Sequence, residues 1–207
     1  MKSGKFIVVE GLEGAGKSSV IAQINTALKD AQKDVVNTRE PGGTPMAEAI
    51  RACVKQPWDE TVTTETELML MYAARSQLIE NVIKPAIEQG QWVVGDRHDL
   101  SSIAYQGGGR GVDRTLLDTI RGITLQGFKP DLTIYLDVEP AVGLARARGR
   151  GELDRIELSG LDFFERARSS YLAEADKDNS IRVVDAMQDM DAVHQCVVSI
   201  INQFVQQ

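Results

Sequence analysis

Phe6-Ile-Val-Val-Glu10-Gly11-Leu12-Glu13-Gly14-Ala15-Gly16-Lys17-Ser18 is the stretch on which the fold turns. Phe6 to Glu10 is a short apolar run that predicts a buried strand, and the segment from Lys17 to about Ala31 predicts a helix. Between them Gly11 to Ser18 fits G-x-x-x-x-G-K-[ST], in the strand–loop–helix setting that gives the pattern meaning. Glycines allow successive backbone N–H groups to wrap a phosphate, and the helix N-terminus adds positive potential. Lys17 is then the cation for the β- and γ-phosphates, and the Ser18 hydroxyl is the candidate magnesium ligand. Gly11, Leu12, Glu13, Gly14, Ala15, Gly16, Lys17, Ser18 and Ser19 form the candidate nucleotide site. The pattern implies a nucleoside triphosphate, not what is done with it.

Outward from this loop, short apolar runs alternate with helix-period segments. Val35-Val36 leads a second strand into Thr38-Arg39-Glu40, Trp92-Val93-Val94 a third into Gly95-Asp96-Arg97-His98, and Leu132–Leu136 and Ile181–Val184 supply two more. Helices are expected from Met46 to Val54 and from about Glu65 to Glu88, with a shorter one from Ser101 to Gln106. A flexible Gly107-Gly108-Gly109 follows, and then a helix capped by Asp113. The alternation predicts an α/β fold of the P-loop NTPase type, a five-stranded parallel sheet flanked by helices on both faces. Residues 1–207 read as one domain, with an arginine-rich lid at about 146–157.

The 207 residues are 43% hydrophobic and 26% charged, a globular composition. With 23 Lys and Arg against 30 Asp and Glu, the net charge of −7 disfavours a general nucleic-acid binder. Cys53 and Cys196 share no metal-ligand spacing and read as reduced thiols. The apolar run at the N-terminus is too short for a signal peptide, and no stretch approaches the ~20 apolar residues of a membrane helix. A soluble cytoplasmic protein is expected.

Arginines carry the next inference. Arg97, beside Asp96, stands at the carboxyl end of the third strand, where open α/β sheets hold their ligands. Arg39 ends the second strand and Arg51 lies on the following helix; together they suggest a pocket for a second anion. Arg75 falls at the centre of the apolar stripe of Leu68, Met71, Tyr72, Ile79, Val82 and Ala86. A buried guanidinium there needs either an internal carboxylate or a polar ligand group. Arg146, Arg148, Arg150 and Arg155, with Gly149 and Gly151 as hinges, read as a closing flap.

The chain resembles bacterial thymidylate kinases along essentially its whole length. The resemblance rests on Glu10–Ser18, Thr38-Arg-Glu-Pro-Gly-Gly-Thr44, Tyr72-Ala-Ala-Arg75, Gly95-Asp-Arg-His-Asp-Leu-Ser101, Ala104-Tyr-Gln-Gly-Gly-Gly-Arg110 and Arg148–Glu157. It implies transfer of the ATP γ-phosphoryl to dTMP with Mg2+, in a homodimer. By the same resemblance Glu13 meets the acceptor sugar 3′-hydroxyl or organises the phosphate-binding arginines, and Arg97, supported by Arg39, takes the dTMP phosphate. Arg75 donates to thymine O4, Ser102 and Gln106 contact the base edge with Arg51 nearby, and Tyr105 crowds the ribose 2′ position. Asp96 joins Ser18 as a metal ligand. Gly14-Ala15 stands where some members carry a catalytic arginine, which shifts that role to Arg148 or Arg150, then Arg155. Met71 replaces the phenylalanine that commonly stacks on thymine. Two other readings compete: a kinase for a different nucleoside monophosphate, and a switch or partitioning ATPase. His98 reads as a pocket wall and His194 as a surface or interface side chain.

Overall fold

The structure, a computed structural model, describes residues 4–149 and 154–206. Its sheet has the strand order β2-β3-β1-β4-β5, every neighbouring pair parallel. The strands are β1 (Phe6–Gly11), β2 (Val35–Arg39), β3 (Trp92–Asp96), β4 (Leu132–Asp137) and β5 (Ile181–Asp185). β1 runs through the centre and is buried at every position, as a near-continuous apolar run in a doubly covered parallel sheet should be. Alternation sorts its side chains between two core clusters. Ile7 and Val9 join Val20, Ile24 and Leu28 of α1 (Lys17–Asp30), while Phe6 and Val8 join Leu78, Ile79 and Ile83.

The register sets the site. Val9 lies opposite Asp96 on one side of β1, and Gly11 lies opposite Leu136 on the other. The loop after β1 and the Asp96-Arg97 turn after β3 therefore emerge side by side at the carboxyl edge. α2 (Pro45–Lys55), N-capped by the Thr44 hydroxyl, packs beside α3 (Thr64–Leu78). The helical run predicted from Glu65 to Glu88 is present from Thr64, with a π-helical turn at Ile79–Ile83 before α4 (Lys84–Glu88).

After α5 (Asp99–Ser102) the chain continues as a π-helix, Ile103–Gly109. This corrects the expectation of a flexible Gly107–Gly109 segment. A Cβ on Gly109 would lie 2.4 Å from the Phe163 ring, and one on Gly108 would lie 2.7 Å from Ser170 Cβ. The glycines let this helix pack against α8 (Leu161–Ala175). Asp113 caps α6 (Arg114–Leu125) as predicted, accepting from Thr115 and Leu116 N–H. α7 (Pro140–Arg148), a 3-10 turn at Glu157–Ser159, α8 (Leu161–Ala175) and α9 (Met190–Val205) complete the described elements. α9 buries Val193, Val197 and Ile201, spaced four apart, and packs beside α1. Among the described residues no helix is long and apolar enough to cross a membrane. Cys53 and Cys196 are free and exposed.

Candidate active site

The phosphate loop reaches α1 through left-handed Gly14 (φ 73°) and Gly16 (φ 90°). α7 backs the loop so closely that a Cβ on Gly14 would fall 2.2 Å from the Gly143 carbonyl oxygen. A Cβ on Gly143 would in turn fall 2.4 Å from the Glu13 carbonyl oxygen. Lys17 Nζ donates to the carbonyl oxygens of Gly11 and Leu12, both at 3.0 Å. Burial, with the Arg97 charge, lowers this amine to about 8.

Asp96 and exposed Ser18 line the cleft beside the loop. Asp96 Oδ1 is buried without a hydrogen-bond partner among the described residues. Among those residues no group of three or more His, Cys, Asp or Glu could hold a metal ion. An orphaned carboxylate oxygen and a hydroxyl suit Mg2+, which keeps several waters and takes its remaining ligands from phosphates. The donor set fits that ion.

Across the cleft, Arg97 sits at φ 70°, a left-handed position uncommon for a side chain of this size. Glu10, fully buried on β1, holds the turn: its Oε1 accepts from His98 N–H at 2.8 Å and Ser101 N–H at 3.2 Å. Its Oε2 accepts from the hydroxyls of Ser101 and Tyr171. The Arg97 guanidinium is thereby aimed at Glu13. Arg97 Nη2 donates to Glu13 Oε1 at 2.7 Å, and Nη1 donates to Ser101 Oγ at 3.1 Å. Tyr105 Oη donates to Glu13 Oε2 at 2.7 Å, and its ring lies under the guanidinium. Burial would lower the Arg97 pKa, but Tyr105 and Glu13 outweigh it and raise the group well above its usual value.

Arg39 and Arg51 line the same cleft. Arg39 is exposed and doubly bonded to Glu48, while Arg51 Nη1 donates to the Pro41 carbonyl at 2.8 Å. Arg75 is 2% exposed and meets the internal carboxylate that one of its two sequence readings required. Its Nε donates to Glu40 Oε2 at 2.7 Å, and its Nη2 donates to the His98 carbonyl and to Ser102 Oγ. Its Nη1 is buried with no hydrogen-bond partner among the described residues. One donor is left for the cleft, whose wall here also includes Met71, Ser102, Tyr105 and Gln106.

Of the lid arginines, Arg155 departs from expectation. Arg155 is not on the cleft wall: its Nη2 donates to Glu67 Oε2 at 2.6 Å and its Nε to the Val54 carbonyl. A buried carboxylate with room for further donors holds it away from the cleft. Arg148 is exposed at the end of α7, and Arg150 lies outside the described residues. His194 is half-buried on α9, with Nε2 3.2 Å from Ser19 Oγ. It shares a groove behind the phosphate loop with Arg146, Gln188 and Met190. His98 is a buried wall of the cleft, with Nδ1 2.6 Å from Glu40 Oε1. Glu40 and Glu67 were missed in the sequence. Glu67 could have been found as Arg75 was, because it stands one turn before Met71 on the same helix; Glu40 gave no periodic signal.

A phosphate loop and a bank of arginines facing each other over one cleft, at the carboxyl edge of a parallel sheet, define a P-loop phosphotransferase with a second anionic substrate. Sequence comparison names the family. The model of the family described as Thymidylate kinase matches residues 9–197. A thymidylate kinase of Alteromonas mediterranea is 69% identical over 204 residues, covering 99% of this chain and 92% of its own. That of Pseudoalteromonas translucida is 57% identical, covering 97% and 96%, and that of Colwellia psychrerythraea is 56% identical, covering 99% and 97%. The chain belongs to the thymidylate kinase family. The activity that goes with it is ATP-dependent phosphorylation of dTMP to dTDP.

Proposed function

We propose that dTMP lies in the arginine-lined cleft with its phosphate on Arg97 and Arg39, and that ATP lies with its triphosphate on Gly11–Ser19. The observation that carries this reading is the ion pair between Arg97 and Glu13, which ties the acceptor arginine to the donor loop itself. A dTMP phosphate oxygen, already ionised at neutral pH, attacks the γ-phosphorus in line as its bond to the β–γ bridging oxygen breaks and ADP leaves, so no general base is required. The work of the protein is positioning and charge stabilisation. Lys17 follows the β- and γ-phosphates, Glu13 and Tyr105 hold Arg97 in place, and Arg148 or Arg150 is the lid arginine that meets the transferred phosphoryl.

Arg75 Nη1 donates to thymine O4, Gln106 and Ser102 meet the base edge, and Met71 packs on the base face. Arg51 steadies the Pro41 turn below. The groove of Arg146, Gln188, Met190 and His194 takes the adenine. Ser18 and Asp96 would hold Mg2+, whose charge offsets that developing between the β- and γ-phosphates. A homodimer accompanies this reading, supported by exposed Met46 and Met69 on the adjoining helices α2 and α3. So do a single domain and a cytoplasmic location.

The test is ADP release measured with dTMP, dUMP, dCMP, AMP and GMP as acceptors. Turnover highest with dTMP, and ATP hydrolysis without acceptor lower by orders of magnitude, is the expected result. Fast acceptor-independent hydrolysis would place the protein with the switch ATPases instead.

A further inference from the structure

Glu67 is 1% exposed, on the first turn of α3, and every hydrogen bond its carboxylate makes runs to a side chain outside α3. Its Oε1 accepts from Gln106 Nε2 at 2.9 Å and from Arg110 Nε at 3.2 Å. Its Oε2 accepts from Arg110 Nη2 at 3.2 Å and from Arg155 Nη2 at 2.6 Å. Burial alone would raise this carboxyl, but hydrogen bonds from Arg110, Gln106 and Arg155 outweigh it and hold it below the usual value. Glu67 is therefore an ionised acceptor with nothing to donate.

That has a consequence one residue away. Oxygen and nitrogen of a glutamine amide have the same shape, so which of them faces the cleft is decided by hydrogen-bond partners. Gln106 is 1% exposed and lines the cleft. An acceptor-only carboxylate behind it can take only the NH2 end. Gln106 Oε1, which no donor among the described residues engages, is left as the group offered to a ligand. Arg75 lines the same cleft, and its Nη1, 3.7 Å from Asp99 Oδ1, has no hydrogen-bond partner among the described residues and keeps its N–H groups to donate. The wall of the cleft thus presents a fixed pair, one acceptor and one donor.

The geometry points to Glu67 as a specificity-determining positioning residue: by fixing the amide of Gln106, it sets the cleft to accept 4-oxo pyrimidines and refuse 4-amino ones. Thymine and uracil offer N3–H to the Gln106 oxygen and O4 to the Arg75 donor. Cytosine offers the reverse, a bare N3 and an amino group, so both contacts turn repulsive. A site whose buried polar groups are left unpaired by the wrong base discriminates strongly. This inference rests on the placement of the acceptor base proposed above.

The test is Glu67→Gln, assayed for kcat/KM with dTMP and with dCMP. The new carboxamide keeps its oxygen for Arg155 and Arg110 and turns its NH2 toward Gln106, which must then flip. The ratio of dTMP to dCMP efficiency falls by about tenfold or more. An equal loss for both substrates, leaving the ratio unchanged, would show a merely structural carboxylate and overturn the inference. Side-chain 15N NMR of the unaltered protein is independent of whether that variant folds. The Gln106 NH2 protons exchange slowly and keep their shifts when dTMP is added; a large shift on binding would mean that the amide end meets the base, and would refute the assignment. Gln106→Ala separates the two levels of the argument. It raises the KM for dTMP if the base lies here, and an unaltered KM would overturn the placement of the base and the role of Glu67 with it.

Discussion

Arg75 Nε donates to Glu40 Oε2 at 2.7 Å, and both side chains are almost wholly buried. Glu40 also faces His98 Nδ1 through its other oxygen, so one carboxylate supports two walls of the cleft. Burial would raise Glu40, but the charge of Arg75 and contact with His98 outweigh it and keep the carboxyl ionised. The pair joins the loop after β2 to the last turn of α3, and it is what lets a guanidinium sit on an apolar helix face.

Removing the carboxylate leaves that guanidinium buried and uncompensated. Glu40→Ala is expected to cost about 3–5 kcal/mol of stability, read from urea unfolding at pH 7. The dTMP KM should rise as well in whatever fraction remains folded. A loss below about 1 kcal/mol would mean that Arg75 finds another partner.

Lys17 gives a pH dependence with a definite sign. Its amine is lowered to about 8, mainly by burial and then by Arg97, and a bound triphosphate must push it back up. Between about pH 8 and 10 ATP binding therefore takes up a proton, and affinity for ATP falls as pH rises through that window. Calorimetry in buffers of different ionisation enthalpy measures the uptake, which should vanish in Lys17→Met along with turnover. Proton release in that range would contradict the assignment of Lys17 to the phosphates.

Gly109→Ala tests packing away from the chemistry. The added methyl would meet the Phe163 ring at 2.4–2.9 Å. Overpacking of this kind costs ~1–3 kcal/mol. A chain of this length should lose roughly 2–12 °C in thermal midpoint, measured by calorimetry. An unchanged midpoint would restore the reading of Gly107–Gly109 as a loose segment.

The legible parts of the fold are those whose cause is local. Glycine spacing and the flanking apolar run make the phosphate loop readable, four-residue spacing makes α1 and α9 readable, and Asp113 announces α6. Arg75 was legible as a problem, a charge on an apolar stripe, although its partner was not, because Glu40 lies 35 residues away. The same holds for Arg155. Its lid-like neighbourhood suggested a free cation, whereas a buried acid 88 residues earlier claims it. Gly108 and Gly109 read as flexible because sequence shows a missing side chain but not the helix that fills its place.

The central claim is that the acceptor phosphate and the donor triphosphate share one cleft, with Arg97 on the acceptor side. Steady-state kinetics of Arg97→Ala, varying dTMP and ATP separately, test it most directly. The KM for dTMP should rise by at least about tenfold while that for ATP changes little, as expected when one charge-assisted contact to a phosphate is lost. A defect confined to ATP, or normal kinetics with both substrates, would contradict it.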